Sequence, residues 1–219
     1  MAKDKKSEGK MESLLVPRPN FEVMEIEVGN IAGSPLLVHA FSQKTITDLK
    51  EQDGNRGKRA LPARDPMKEA RDALYLIPGE GDESYGLPAA GFKKAMQTVA
   101  KDLPGKRITG AMVMRQIYVF ADVAGLVRMR TKNGWHMRED IVRLRNGSPQ
   151  IRYRPEFDDW RCTLRIRYDA DIFDPQSILN LLSRAGFTVG WGERRMEKGY
   201  ECGGFELSAK NAKISKVEA

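Results

Sequence analysis

The chain has 219 residues, 41% of them hydrophobic and 31% charged, with a formal net charge of +7. That size accommodates one domain or two small ones with a real core; two cysteines exclude a disulfide scaffold or a zinc site built from thiols alone, and no apolar run is long enough for a membrane-spanning helix. The positive balance favours an anionic partner, usually nucleic acid, against the plainer alternative of a solvated cationic face.

Residues 1–12 are polar and Lys-rich and read as a disordered tail, as do residues 208–219. The first residues lack the apolar region of a secretory signal, so a cytoplasmic protein is expected. In Phe21–Val28, Met24, Ile26 and Val28 alternate with Glu25 and Glu27, the period of a half-buried strand. Pro35–Phe41 resumes an extended apolar run that contains His39. The pattern then stops. Ser42–Pro66 reads as a mobile arm with a basic cluster at Arg56, Lys58, Arg59 and Arg64, and the whole insertion covers about 42–85.

Asp65 and Pro66 open a short helix, and Ala73–Ile77 reads as its end or as a strand before the turn at Pro78-Gly79. The glycines at 79, 81 and 86 lack the spacing of a phosphate loop. Leu87–Ala100 is the clearest helix of the first half. Pro88 fits its first turn, Phe92, Met96, Val99 and Ala100 make one face, and Lys93 and Lys94 lie elsewhere. Ala111–Phe120 is rich in strand formers and reads as a central strand.

Between Arg128 and Arg167, eleven Lys or Arg stand against five Asp or Glu, so nearly all the net charge resides there. Arg138, Arg143, Arg145, Arg152 and Arg154 interleave with Trp135 and Tyr153. Guanidinium groups suit phosphates and aromatic faces suit stacked bases. The alternative is an Arg-rich strand pair with two core aromatics. Arg161–Tyr168 then alternates as a strand. Asp174 and Pro175 start a helix that Gly186 is placed to end, and Phe187–Trp191 reads as a strand. A glycine-rich basic connection carrying Arg194, Arg195 and Lys198 leads to a closing strand at Phe205–Leu207. The expected fold class is α+β: a ferredoxin-like or RRM-like antiparallel sheet with helices on one face and a long inserted arm, over residues 13–207.

Tyr85–Met96, Met137–Arg143, Arg152–Phe157, Gly186–Glu193 and Glu197–Gly199 resemble a family of uncharacterised bacteriophage proteins over residues 73–207. That resemblance implies a phage or prophage source and the cytoplasm of an infected bacterium. A second resemblance is to the RAMP superfamily, the RRM-like backbone subunits of CRISPR effector complexes. It rests on the small-residue helix after a Pro-containing turn, the insertion after the first strand and the glycine-rich loop between the last strands. In that superfamily these features grip single-stranded nucleic acid, and subunits stack into filaments. The matching positions are the helix start Pro88–Met96 and Arg194, Arg195 and Lys198. The loop departs from the pattern in carrying Glu193, Glu197 and Glu201.

No Ser-His-Asp or Cys-His arrangement is legible, and no His-x-x-x-His or Cys-x-x-Cys pair occurs. No catalytic residues, metal or cofactor are therefore expected, and the chain is read as a binding protein rather than an enzyme. Glu139-Asp140 and Glu156, Asp158 and Asp159 have the residue types of a Mg2+-dependent nuclease, but each cluster lies among arginines that such carboxylates ordinarily balance. The expected function is a phage single-stranded nucleic-acid-binding protein that coats its ligand stoichiometrically as a homo-oligomer. The alternative, of another class, is a self-assembling structural protein or an inhibitor of a host defence complex, with a host protein complex as partner.

Overall fold

Period-two alternation sets the centre of the sheet. A computed structural model describes residues 18–40, 64–105, 107–144, 146–208 and 212–216. Strand β1 (Phe21–Asn30) is followed by β2 (Leu36–Leu37), helix α1 (Pro66–Asp72) and β3 (Tyr85–Pro88). Helices α2 (Ala89–Asp102) and α3 (Gly110–Gln116) lead into β4 (Ile117–Val119) and β5 (Leu126–Arg130). A hairpin of β6 (His136–Arg143) and β7 (Pro149–Phe157) precedes β8 (Arg161–Asp169). Helix α4 (Pro175–Thr188), β9 (Phe205–Leu207) and β10 (Lys213–Lys216) complete the order.

β1 and β8 pair antiparallel from Phe21 opposite Asp169 to Gly29 opposite Arg161. β9 and β10 lie along the free edge of β1, while β4 and β5 lie along the other edge of β8, and β3 pairs with β5. Taken as β1–α2–β4 and β8–α4–β9, the connections make a ferredoxin-like frame with β1 and β8 in the centre. Met24, Ile26 and Val28 of β1 and Cys162, Leu164, Ile166 and Tyr168 of β8 are buried, as the alternation predicts. Each Met, Ile, Val or Leu among them contributes roughly 1.5–3 kcal/mol by leaving water. Phe92 and Met96 of α2 and Ile178, Leu181 and Leu182 of α4 join the same core, so both helices cover one face. A second sheet, β2–β7–β6, projects from this frame.

The helix starts are those the capping chemistry dictates. Asp174 Oδ1 accepts from Ser177 N at 3.0 Å and Asp65 Oδ1 from Lys68 N at 3.1 Å, each before a proline. Three elements differ from expectation. Ala111–Phe120 is α3 followed by β4, because Thr109 Oγ1 caps Met112 N and the short apolar run suits either state. Helix α4 runs past Gly186 to Thr188, so the strand expected at Phe187–Trp191 is not formed. There the missing side chain serves packing: a Cβ on Gly186 would lie 2.7 Å from both the carbonyl carbon and Cδ2 of Phe205. Residues 213–216, expected within a disordered tail, form β10 because the edge of β1 offers unpaired backbone groups. The arm at 42–63, the cluster Arg56, Lys58 and Arg59, and Arg145 lie outside the described residues.

Candidate nucleic-acid interface

A cleft of about 330 Å3 opens where the first turn of α2 meets the turn after α4. Pro88, Gly91 and Lys94 form one wall; Gly190, Trp191, Gly192, Glu193, Arg195 and Glu197 form the other; His39 and Tyr75 form the floor. The wall after α4 is a tight turn. Trp191 N donates to Gly203 O at 2.7 Å and Glu193 N to Leu37 O at 2.8 Å. Gly203, at φ 73°, sits where a side chain would collide with the Trp191 carbonyl, so this approach requires glycine.

The polar groups of the cleft are incompletely satisfied. Trp191 is 6% exposed and its Nε1 has no hydrogen-bond acceptor. That atom is the nearest neighbour of the position a Cβ on Gly91 would take, so the indole N–H faces the first turn of α2. Pro88 gives α2 no side-chain cap, and Ala89 N donates to Gly125 O at 3.0 Å, with no turn partner for the next N–H groups among the described residues. An uncapped helix start carries partial positive charge and free N–H donors. His39 Nδ1 is also buried without a partner. Burial, then the nearby charge of Arg154, holds the His39 pKa below the usual range, so the ring is neutral at pH 7. Arg195 Nε and Nη2 both donate to Glu197, at 2.9 and 2.7 Å, and this pairing holds the Glu197 carboxyl below its ordinary pKa.

Beside the cleft, the hairpin and the loop are joined by an ionic cluster. Asp140, with its side chain 3% exposed, accepts from Arg138 Nε at 3.2 Å, Arg154 Nη1 at 3.3 Å and Arg194 Nη1 at 2.8 Å. Arg138 also donates to Glu156, which raises the guanidinium pKa. Arg154 Nη2 lies 3.8 Å from Glu193, and the Arg194 guanidinium sits 4.4 Å from the centre of the Tyr200 ring. These arginines spend their charge inside the protein, holding β6, β7 and the loop together.

The other sequence candidates are scattered. Arg143 is exposed near the hairpin tip, and Arg152 is half-buried, donating to Gln150 at 3.2 Å. Trp135 packs half-buried against the core. Tyr153 has the Arg64 guanidinium 5.2 Å from its ring centre. Lys93 is half-buried, whereas Lys94 lines the cleft and acts on Glu197 through its charge. Lys198 is exposed, 4.0 Å from Glu197. Of the candidates, the fold brings Lys94 and Arg195 together at the cleft. Trp191 and His39, read from sequence as strand or core residues, complete it; the glycines flanking Trp191 were the available signal. Among the described residues, His136, Glu156 and Asp158 hold ligand atoms within 4.8 Å of one another. Asp159 instead accepts from Lys132 N at 2.8 Å and Thr131 Oγ1 at 3.3 Å, fixing the turn before β6.

No family model and no curated protein matches the chain. Among solved structures it is similar to a chain of the Type III-B Cmr-beta complex, determined by cryo-EM with cognate target RNA bound. The TM-score is 0.52 at 13% identity, over 90% of this chain and 61% of that one. The chain thus spans about three-fifths of its neighbour's length. The likeness is one of fold, and it agrees with the α+β, ferredoxin-like or RRM-like architecture expected from the sequence.

Proposed function

We propose that the chain binds single-stranded nucleic acid and seats its backbone phosphates in the cleft at the start of α2. The supporting observation is the buried indole N–H of Trp191, without an acceptor, beside an uncapped helix start and Lys94. A phosphate oxygen would accept from the N–H groups of the helix start and oppose the helix dipole, and a shift of the indole away from Gly91 would let the Trp191 N–H donate to it as well. Lys94 supplies the formal charge, and Arg195 is positioned to leave Glu197 for a stronger anion. The Cmr-beta neighbour was solved with RNA bound, which is consistent with this reading. Stoichiometric coating of a strand by many copies, in the setting of phage infection, is the finer form of the proposal.

The test is fluorescence anisotropy with single-stranded DNA, single-stranded RNA and duplex across a salt series. Affinity for a single strand should fall steeply with salt as counterions are released. Lys94→Ala should weaken binding and flatten the log–log salt slope by roughly 0.7, the value for one lost phosphate contact on a single strand. Salt-insensitive binding, or an unchanged slope in Lys94→Ala, would refute the phosphate assignment. A second reading has one observation in its favour: Ile141, Leu144 and Ile151 are exposed near the hairpin tip, with Ile141 71% exposed. Such a patch suits self-assembly or docking on a host protein. Oligomers that survive nuclease treatment would support it.

A further inference from the structure

The two faces of the main sheet are chemically different. One is covered by α2 and α4; the other has no helix packed on it among the described residues and carries arginines and aromatic rings. Arg167 of β8 lies with its guanidinium 5.0 Å from the ring centre of Phe21, 5.6 Å from that of Tyr118 and 5.8 Å from that of Phe120. Arg165 lies 5.0 Å from the Phe120 ring. Tyr118 and Phe120 meet edge-to-face with centres 5.1 Å apart. Tyr118 is 50% exposed although it projects from a strand whose flanking residues, Ile117 and Val119, are buried.

The charge of this face favours an anion. β5 and β8 place five arginines on it against Glu25 and Glu27 of β1 and Glu206 of β9, and Arg128 is paired with Glu80. Arg130 pairs with Glu27 at 2.7 Å and Arg165 loosely with Glu25 at 3.9 Å. Arg167 forms no ion pair among the described residues; aromatic rings alone hold it. A guanidinium fixed in this way keeps its hydrogen-bond donors for a ligand, and its plane, like the Tyr118 ring, suits a stacked base. An acidic peptide would satisfy the charge but would not use flat rings set beside flat guanidinium groups.

We infer that this open face is a second nucleic-acid contact surface, at which Tyr118, Phe120 and Arg167 take bases and phosphate of a strand segment other than the one held at α2. The inference rests on the nucleic-acid reading above, and it adds a site on the opposite side of the sheet. Each copy then engages either a strand that wraps the sheet edge or two strands at once.

The experiment uses oligonucleotides carrying 4-thiouracil, photocrosslinked to the full chain and mapped by mass spectrometry, with occluded length measured in parallel by titration. Wild type, Tyr118→Leu, Arg167→Ala and Lys94→Ala are compared. Tyr118→Leu keeps the bulk of an exposed side chain, so loss of folding does not confuse the result. Crosslinks are expected at Tyr118 or Phe120 in wild type and in Lys94→Ala at low salt. Tyr118→Leu should lose the crosslink at position 118, reduce that at Phe120, shorten the occluded length and weaken binding about fivefold or more. Arg167→Ala should behave likewise. Wild type that binds without crosslinks on this face, with both face variants unchanged, overturns this inference and leaves the cleft standing. Crosslinks here with Lys94→Ala unaffected in affinity and salt slope would instead remove the cleft. A face variant that alters self-association without nucleic acid makes the surface a protein contact, which also overturns the inference.

Discussion

Replacing Asp140 by Asn tests whether the hairpin arginines hold the fold. Asp140 is the shared acceptor for Arg138, Arg154 and Arg194, and the Arg154 side chain is only 6% exposed. Without the carboxylate, the remaining acidic neighbour of Arg154 is Glu193 at 3.8 Å, itself half-exposed. Breaking one partner of a buried pair costs about 3–5 kcal/mol, because the surviving charge stays buried and uncompensated. For a chain of this size that corresponds to a fall in Tm of roughly 10 °C. Urea denaturation with equal m-values would measure it, and a cycle with Arg154→Met would isolate the pair. The double variant should recover much of the loss, since an apolar side chain of similar volume needs no acceptor. A loss under about 1 kcal/mol in Asp140→Asn would refute the reasoning, and these arginines would return as candidates for phosphate contact.

Gly186→Ala should destabilise by about 3 kcal/mol or more, because the new methyl would overlap the backbone of Phe205 and force β9 from α4. Ser183→Ala, on the exposed side of the same helix, should stay within about 0.5 kcal/mol by thermal melting, and equal melting of the two would contradict the packing argument. His39 gives a pH signature. Its folded pKa lies below the ordinary 6.5, so the unfolded chain takes up the proton first as pH falls. The stability of wild type relative to His39→Gln should be constant above pH 7 and decline as pH drops below about 6.5. A difference that is flat from pH 7.5 to 5 would show the ring to be as accessible folded as unfolded.

The strands that carry the fold were readable because each buries one face only. β8 follows its alternation from Arg161 onward, and β9 occupies Phe205–Leu207 as the pattern indicates. The start of α4 was readable for a different reason: Asp174 and Pro175 act on their own backbone, within one turn. Where a residue's role depends on a distant neighbour, local pattern misled. Gly186 has the look of a helix stop, yet it is the contact point for Phe205, nineteen residues away. β10 exists because β1 leaves an edge, which no feature of 213–216 announces.

The candidate sites divide along the same line. Composition alone determined that the protein is basic and that the excess charge lies between Arg128 and Arg167. Only tertiary structure decided which of the chain's arginines have a carboxylate partner. Arg138, Arg154 and Arg194 come from three separate stretches and converge on one buried carboxylate, so their charge is compensated internally. Arg167, indistinguishable from them in sequence, is half-buried among aromatic rings from β1 and from β4 with its following residue, and has no carboxylate partner among the described residues. An ion pair depends on distances of a few ångströms between residues far apart in the chain. The pattern along a strand determines which side a residue faces, and the pairing of strands determines what it meets there.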